Sequence, residues 1–570
     1  MFRKFIPFTF VAAYLCSLAL AADPPWLARS QTGMVASDSP EASQIGADVL
    51  RQGGNAFDAA IATSFALAVS RPQSTGLGGG GFLVAYVAKE RRVMALDFRE
   101  VAPAGATRER YDRLAAAAGA GPSPTIYGGN AVGVPGQLAG LAEIHRRFAT
   151  RPLHDLVQPS IRLAETGFVA DEHYQSAVKE ALADFEKWPQ LKEQYKHIYG
   201  TLLGSGTPPK AGDKITRPEL AKALRLIAEQ GPDVFYKGPL GAAAVKAAQA
   251  AGGVLALDDL AAYQPREREP LRAPFEGYEI VTMPPPSSGG VCIIETLNVL
   301  HEMALDFPGG LRGIHDDLYP PLLVCALKHA FADRARWLGD PDAARIPVQR
   351  LISPDYARRL ADRFCPAKSE EYGTKQMPDD RGTSHFCVAD KDGNIVALTE
   401  TVNGVFGSLV IAEPYGIILN NQMDDFAANP GKPNLYGLIQ GEANAVAPGQ
   451  RPLSSMSPLI VFKEGRPVLA LGASGGPRII TSVLQVMLNV VEFDMPLAEA
   501  MSAVRIHHQW LPDEVYFDRE PPATLVGILK GANKISTEHK TGVAQAIQFL
   551  PDGTLVGACD PRKGGRPAGL

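Results

Sequence analysis

Phe57, Ile61, Phe65 and Val69 recur every four residues, so the chain places a mostly buried helix there. Ahead of it, Ser39-Pro40-Glu41 combines a capping hydroxyl, a first-turn proline and an acid, and so starts a helix. Ile45 and Val49 follow at helical spacing, and Gly53-Gly54 stops that helix. Beyond Gly76 to Gly81 the pattern changes: Phe82 to Val87 and Val93 to Phe98 read as strands. Residues 130 to 350 carry largely helical patterns, broken at Pro135-Gly136, at Glu229 to Pro232 and at Pro284 to Gly290. His385 to Ala389 and Ile395 to Leu398 are apolar and β-branched runs flanking Lys391-Asp392-Gly393-Asn394, a strong hairpin signal. Further on, Val468 to Ala473 reads as a strand, Ser474 to Pro477 as a turn, and Ile479 onward as a helix.

Composition narrows the class. The chain has 570 residues, 46% hydrophobic and 21% charged, which is ordinary for a soluble globular protein. Its net charge of −5 offers no basic face for nucleic acid. Arg3-Lys4, the apolar stretch Phe5 to Leu20 and small residues at Ala19-Leu20-Ala21 form a secretory signal, with cleavage after Ala21 or Ala22. The expected location is therefore secreted or periplasmic. A membrane anchor is the rival reading, for which the apolar run is short. Six cysteines, one inside the signal segment, lack CxxC pairs, which argues against a disulfide scaffold or a zinc site and leaves room for a single bridge. His507-His508 has no third ligand nearby in the sequence, so no metal is assigned. The Gly76–Gly81 loop lacks the Lys-Ser/Thr ending of a phosphate-binding loop and precedes a strand, so close backbone packing is its expected use.

The hairpin carries the candidate chemistry. Pairing about residues 392 and 393 puts Thr383 opposite residues 401 to 403, so two hydroxyls and an amide meet at its open end. Taken alone, this also describes a plain surface hairpin. Seven ordered motifs change that: GLGGGGF (76–82), DFRE (97–100), ADRARWLGDPD (332–342), the Thr383-x-His385 start, NNQMDDF (420–426), PLSSMSP (452–458) and GASGGPR (472–478). Together they resemble the γ-glutamyltransferase family of N-terminal nucleophile hydrolases, over nearly the whole chain after the first two dozen residues.

That resemblance implies an α+β fold, a four-layer αββα sandwich made as one chain. It further implies a cut at Gly382-Thr383, giving a signal (1–21), a large part (22–382) and a small part (383–570). The polar stretch 370–381 reads as the exposed loop such a cut requires. Thr383 would be the nucleophile, with its freed α-amine, of reference pKa about 7.7–8.0, as the base. Thr401 would assist it, and Gly475 and Gly476 would form the oxyanion hole, although the same pattern also serves a plain strand-to-helix connection. Arg99, Ser454 and Ser455 match the family's residues for the substrate α-carboxylate; Asn403, Gln422 and Asp425 match those for its α-amine. Tyr436 matches the tyrosine of the active-site lid, which favours amine acceptors over water. Asp424 and Asp425, read as neighbours on a strand, would face opposite sides and so make no acid–base pair. Cys387 shares a strand face with Thr383 and His385; neither it nor Glu400 receives a role.

The implied reaction is γ-glutamyl transfer from glutathione or related compounds to water, amino acids or peptides, without a cofactor. Two rivals stand beside it: a cephalosporin or glutaryl acylase of the same family, and an uncleaved, inactive secreted binding protein.

Overall fold

A computed structural model describes residues 23–119, 121–314, 317–363, 382–428, 431–531, 533–539 and 542–570. The signal segment and the 370–381 loop lie outside the described residues. Two seven-stranded sheets form the centre. The first, in spatial order, comprises Ala568–Gly569, Met34–Ser37, Thr383–Ala389, Ile395–Thr401, Gly80–Val87, Arg92–Phe98 and Arg266–Arg268. The second comprises Leu27–Ser30, Leu555–Cys559, Val543–Phe549, Arg466–Ser474, Leu459–Lys463, Tyr278–Thr282 and Leu271–Phe275.

Strand alternation sorts the side chains into layers. Phe386, Val388, Val396 and Leu398 face outward and pack with helices Pro40–Arg51, Ala56–Ser70 and Leu153–Thr166. Cys387, Ala389, Ile395 and Ala397 face inward onto Ile460, Leu469 and Ile547 of the second sheet. Helices Gly289–Ala304, Tyr319–Trp337 and Arg478–Val491 cover the far side. The result is the four-layer αββα sandwich. The hairpin strands are buried on both faces; next to the turn (386–389 and 395–398) they are apolar, whereas the open end carries buried polar residues.

Local chemistry explains the entries to the first helices. The Ser39 hydroxyl accepts from the Ala42 amide at 3.3 Å, with Pro40 behind the cap. Asn55 and Asp58 close a capping box on Ala56–Ser70, all of whose residues are buried. The glycine loop packs as expected: a Cβ on Gly80 would come 2.6 Å from the Phe98 carbonyl oxygen, and those on Gly78 and Gly79 would collide with the Ile418 and Thr401 backbones.

One expectation needs refinement and one correction. The stretch 130–350 is largely helical, as expected, but it also contributes strands Arg266–Arg268, Leu271–Phe275 and Tyr278–Thr282 to the two large sheets. Leu271–Phe275 holds Pro274 at an outward position on a sheet edge, where no ladder donor is needed, so the proline masked the strand. Gln422–Asp425 is a 3₁₀ turn, not a strand. Among the described residues no helix is long and apolar enough to cross a membrane, and no His/Cys/Asp/Glu group could hold a metal. Cys325 is disulfide-bonded, whereas Cys292, Cys387 and Cys559 are free and buried.

Candidate active site

The hairpin register places Thr383 directly opposite Thr401. Their hydroxyl oxygens are 3.0 Å apart. The Thr401 hydroxyl also lies 2.5 Å from the Gly382 carbonyl oxygen and receives the Asn403 amide at 2.8 Å. A hydroxyl has one proton to give. With that proton on the Gly382 carbonyl, Thr401 must accept from Thr383. One side chain thus polarises the carbonyl before Thr383 and draws on the Thr383 proton.

Asn403 sits at φ +76°, a left-handed position that asparagine tolerates, and its side chain donates to the Asn421 carbonyl at 3.0 Å. The Tyr436 hydroxyl donates to the Asn403 carbonyl at 2.7 Å, which fastens the 431–440 loop over the site. Gly475 and Gly476 follow strand Arg466–Ser474 at φ +124° and +58°. A Cβ on Gly476 would also come 2.6 Å from the Tyr436 ring, so the turn accepts only glycine there.

Arg99 ends strand Arg92–Phe98 and is buried. Its guanidinium donates to the Pro452 and Leu453 carbonyls at 3.2 and 3.3 Å and pairs with Asp425. Gln422 donates to the same Asp425 oxygen at 2.7 Å. Asp424 turns elsewhere, accepting from the Thr125 hydroxyl at 2.6 Å and the Leu435 amide at 2.7 Å. The two adjacent acids therefore have separate partners, as expected, but by a 3₁₀ turn instead of strand alternation. Glu100 is buried beside them. Desolvation, partly offset by Arg99, raises its pKa to about 8.

One narrow cavity is lined by Arg99, Thr383, Thr401, Asn403, Gln422, Asp425, Tyr436, Ser454, Ser455 and Gly476. Two expected site residues, Gly382 and Gly475, do not line it; each adjoins one that does, Thr383 and Gly476. Arg334 lines the cavity too, and sequence reasoning left it unassigned although it lies inside the ADRARWLGDPD motif. It donates to the Ser288 hydroxyl at 2.9 Å and to that of Ser455 at 3.4 Å, and desolvation lowers its pKa. Its place in that ordered motif was the available signal.

His385 and Cys387 lie away from the cavity, between the sheets. The imidazole meets the Thr399 hydroxyl at 2.8 Å and the Cys387 sulfur at 3.3 Å, and burial lowers its pKa to about 3. It is a neutral packing group.

The family model described as gamma-glutamyltranspeptidase matches residues 42–570. The chain belongs to that family. The glutathione hydrolase proenzyme of Escherichia coli strain K12 is 42% identical over 542 residues, covering 94% of this chain and 91% of the relative. The acylase ACY 1 proenzyme of Pseudomonas sp. strain SE83 is 38% identical over 555 residues, covering 95% and 94%. Among solved structures, cephalosporin acylase from Bacillus halodurans superposes with a TM-score of 0.83 at 26% identity, covering 100% of this chain and 99% of that one. The γ-glutamyltranspeptidase family thus includes relatives named for two substrate classes, and the cavity residues must decide between them.

Proposed function

We propose that this chain is a γ-glutamyltransferase and glutathione hydrolase that activates itself by cutting Gly382-Thr383. The observation that carries the reading is the Thr383–Thr401–Gly382 contact set. In the intact chain the Thr383 hydroxyl attacks the Gly382 carbonyl while Thr401 polarises it. The resulting ester hydrolyses and frees the Thr383 amine. That amine then takes the hydroxyl proton as Thr383 attacks the γ-carbonyl of the substrate. Backbone N–H groups of the Gly475-Gly476 turn receive the oxyanion. The amine product leaves, and water or an amino acid or peptide resolves the ester.

Substrate choice follows from charge pairing. Without substrate, Arg99 and Asp425 neutralise each other. A γ-glutamyl group is a zwitterion, so its α-carboxylate replaces Asp425 at Arg99, assisted by Ser454 and Ser455. Its α-amine takes Asp425, Gln422 and Asn403. A glutaryl group has no amine and would leave Asp425 without a cation, which disfavours the acylase reading. The intact set of hydroxyls disfavours an inactive binding protein. Residues 1–21 support a secreted or periplasmic location.

Sequencing the terminus of the smaller fragment tests the core of this reading. It should begin at Thr383, and Thr383→Ala should remain one uncut chain without activity on γ-glutamyl-p-nitroanilide. Turnover of a glutaryl analogue but not of the γ-glutamyl compound would assign the acylase activity instead.

A further inference from the structure

Lys563 enters the interior behind the nucleophile and has no part in the reaction as described so far. The C-terminal stretch that carries it is anchored by Arg562, which donates to Asp518 at 2.7 Å and to Asp560 at 2.9 Å. It then runs along Ser37-Asp38 so closely that a Cβ on Gly565 would come 2.6 Å from the Ser37 carbonyl oxygen. Lys563 and Asp38 both have fully buried side chains, paired at 2.8 Å. The ammonium also reaches the Thr383 carbonyl at 3.2 Å and the Ser474 hydroxyl at 3.3 Å. Thr383 is the proposed nucleophile, and Ser474 directly precedes the glycine turn. A buried ammonium is costly unless several acceptors hold it, and here the acceptors belong to both halves of the site.

We propose that Lys563 is a positioning residue: it fixes the Thr383 carbonyl against the Ser474 strand end, and its charge holds the amine of a cleaved Thr383 in the base form. This rests on the reading of Thr383 as an N-terminal nucleophile. Amine and carbonyl of one residue are three bonds apart, so the amine lies within about 7 Å of the ammonium. At that range a cation disfavours a second positive charge. Asp38 opposes it: its Oδ2 accepts from both Lys563 and the Ser384 hydroxyl, the latter at 3.0 Å, but it is the ammonium that contacts Thr383 itself. The other titratable and charged groups around are Arg71 and Asp171 behind Asp38, Glu400 across the hairpin, Asp560 and Arg505 along the tail, Arg99, Asp425 and Arg334 in the cavity, and Glu100 beside it. Among the described residues none of them is hydrogen-bonded or ion-paired to Thr383, whereas Lys563 donates to its carbonyl.

The test is single-turnover acylation by γ-glutamyl-p-nitroanilide as a function of pH, on mature wild type, Lys563→Arg, Lys563→Met and Asp38→Asn. In Lys563→Met the acidic limb should move up by about one pH unit, so the rate at pH 6 falls about tenfold more than the rate on the alkaline plateau. Lys563→Arg should keep the wild-type limb, and Asp38→Asn should move it down. A merely structural lysine would change the amount of active enzyme and leave the limb in place; that result overturns the proposal. If Lys563→Met does not mature, Asp38→Asn decides, and an unmoved or raised limb overturns it. Failure of all three variants to fold overturns it as well, since the lysine would then serve folding. A wild type lacking a Thr383 terminus would instead remove the underlying reading, which fragment sequencing detects separately.

Discussion

Two neighbouring rungs of the hairpin hold opposite kinds of polar chemistry. Thr383 faces Thr401, and the next rung pairs Ser384 with Glu400. The first rung opens on the cavity. The second points away from it, and there Glu400 accepts from Ser64 at 2.6 Å and from Gln137. Burial raises the Glu400 pKa to about 8, against weaker hydrogen bonds from Ser64, Gln137 and Thr75. Strand alternation alone separates the hydroxyl pair at the cavity from a sealed, protonated acid. A slip of one residue would exchange them, so register here is a functional quantity.

The contrast can be attacked from its largest expected effect downward. Thr401→Val should nearly preserve volume but remove both the acceptor for Thr383 and the donor to Gly382. Self-cleavage, followed on denaturing gels, should slow by about 10²–10⁴-fold. A wild-type rate would break the distinction between the rungs. Arg99→Lys keeps the charge and loses the planar fork. We expect kcat/KM for γ-glutamyl-p-nitroanilide to fall about 10–100-fold, mainly through KM, in steady-state kinetics. On the sealed rung, Glu400→Gln should change turnover less than about threefold and change pH-dependent stability instead. An acid whose folded pKa lies above its unfolded one binds a proton on folding. Its contribution is complete below the unfolded value near 4.5 and is lost as pH rises to about 8. Wild-type Tm should therefore fall between pH 5 and pH 8, and the glutamine variant should flatten that slope by on the order of 3–5 kcal/mol; Glu100 contributes in the same direction and remains. The smallest effect is expected of Tyr436→Phe. It loses one hydrogen bond to Asn403, about 1 kcal/mol, and should lower the ratio of transfer to hydrolysis less than about fivefold when products are separated by chromatography.

Much of this was legible in the residues. The Asp-Gly turn set the register, and register set which hydroxyls meet. The four-residue apolar spacing gave the buried helix, and Ser39-Pro40 gave its neighbour's start. The assembly of Arg99, Asp425 and Ser454 was not legible from spacing, because Arg99 lies more than three hundred positions before the other two and all three sit on different elements; only ordered motifs suggested it. The strands near 270 were hidden by a proline on an edge. Lys563 escaped notice because a second cation beside Arg562 ahead of two glycines gives no hint of what it will touch, and Arg334 because its motif holds two arginines without marking which one turns inward.

The order of strands within the sheets has a practical outcome. Segments from before and after Gly382 alternate: Met34–Ser37 lies between Ala568–Gly569 and Thr383–Ala389, and Leu27–Ser30 lies beside Leu555–Cys559. A break ahead of Thr383 would therefore release nothing. An affinity tag at the C-terminus, or placed just after residue 22, should recover both fragments in equal amounts from native buffer, and only a denaturant should part them.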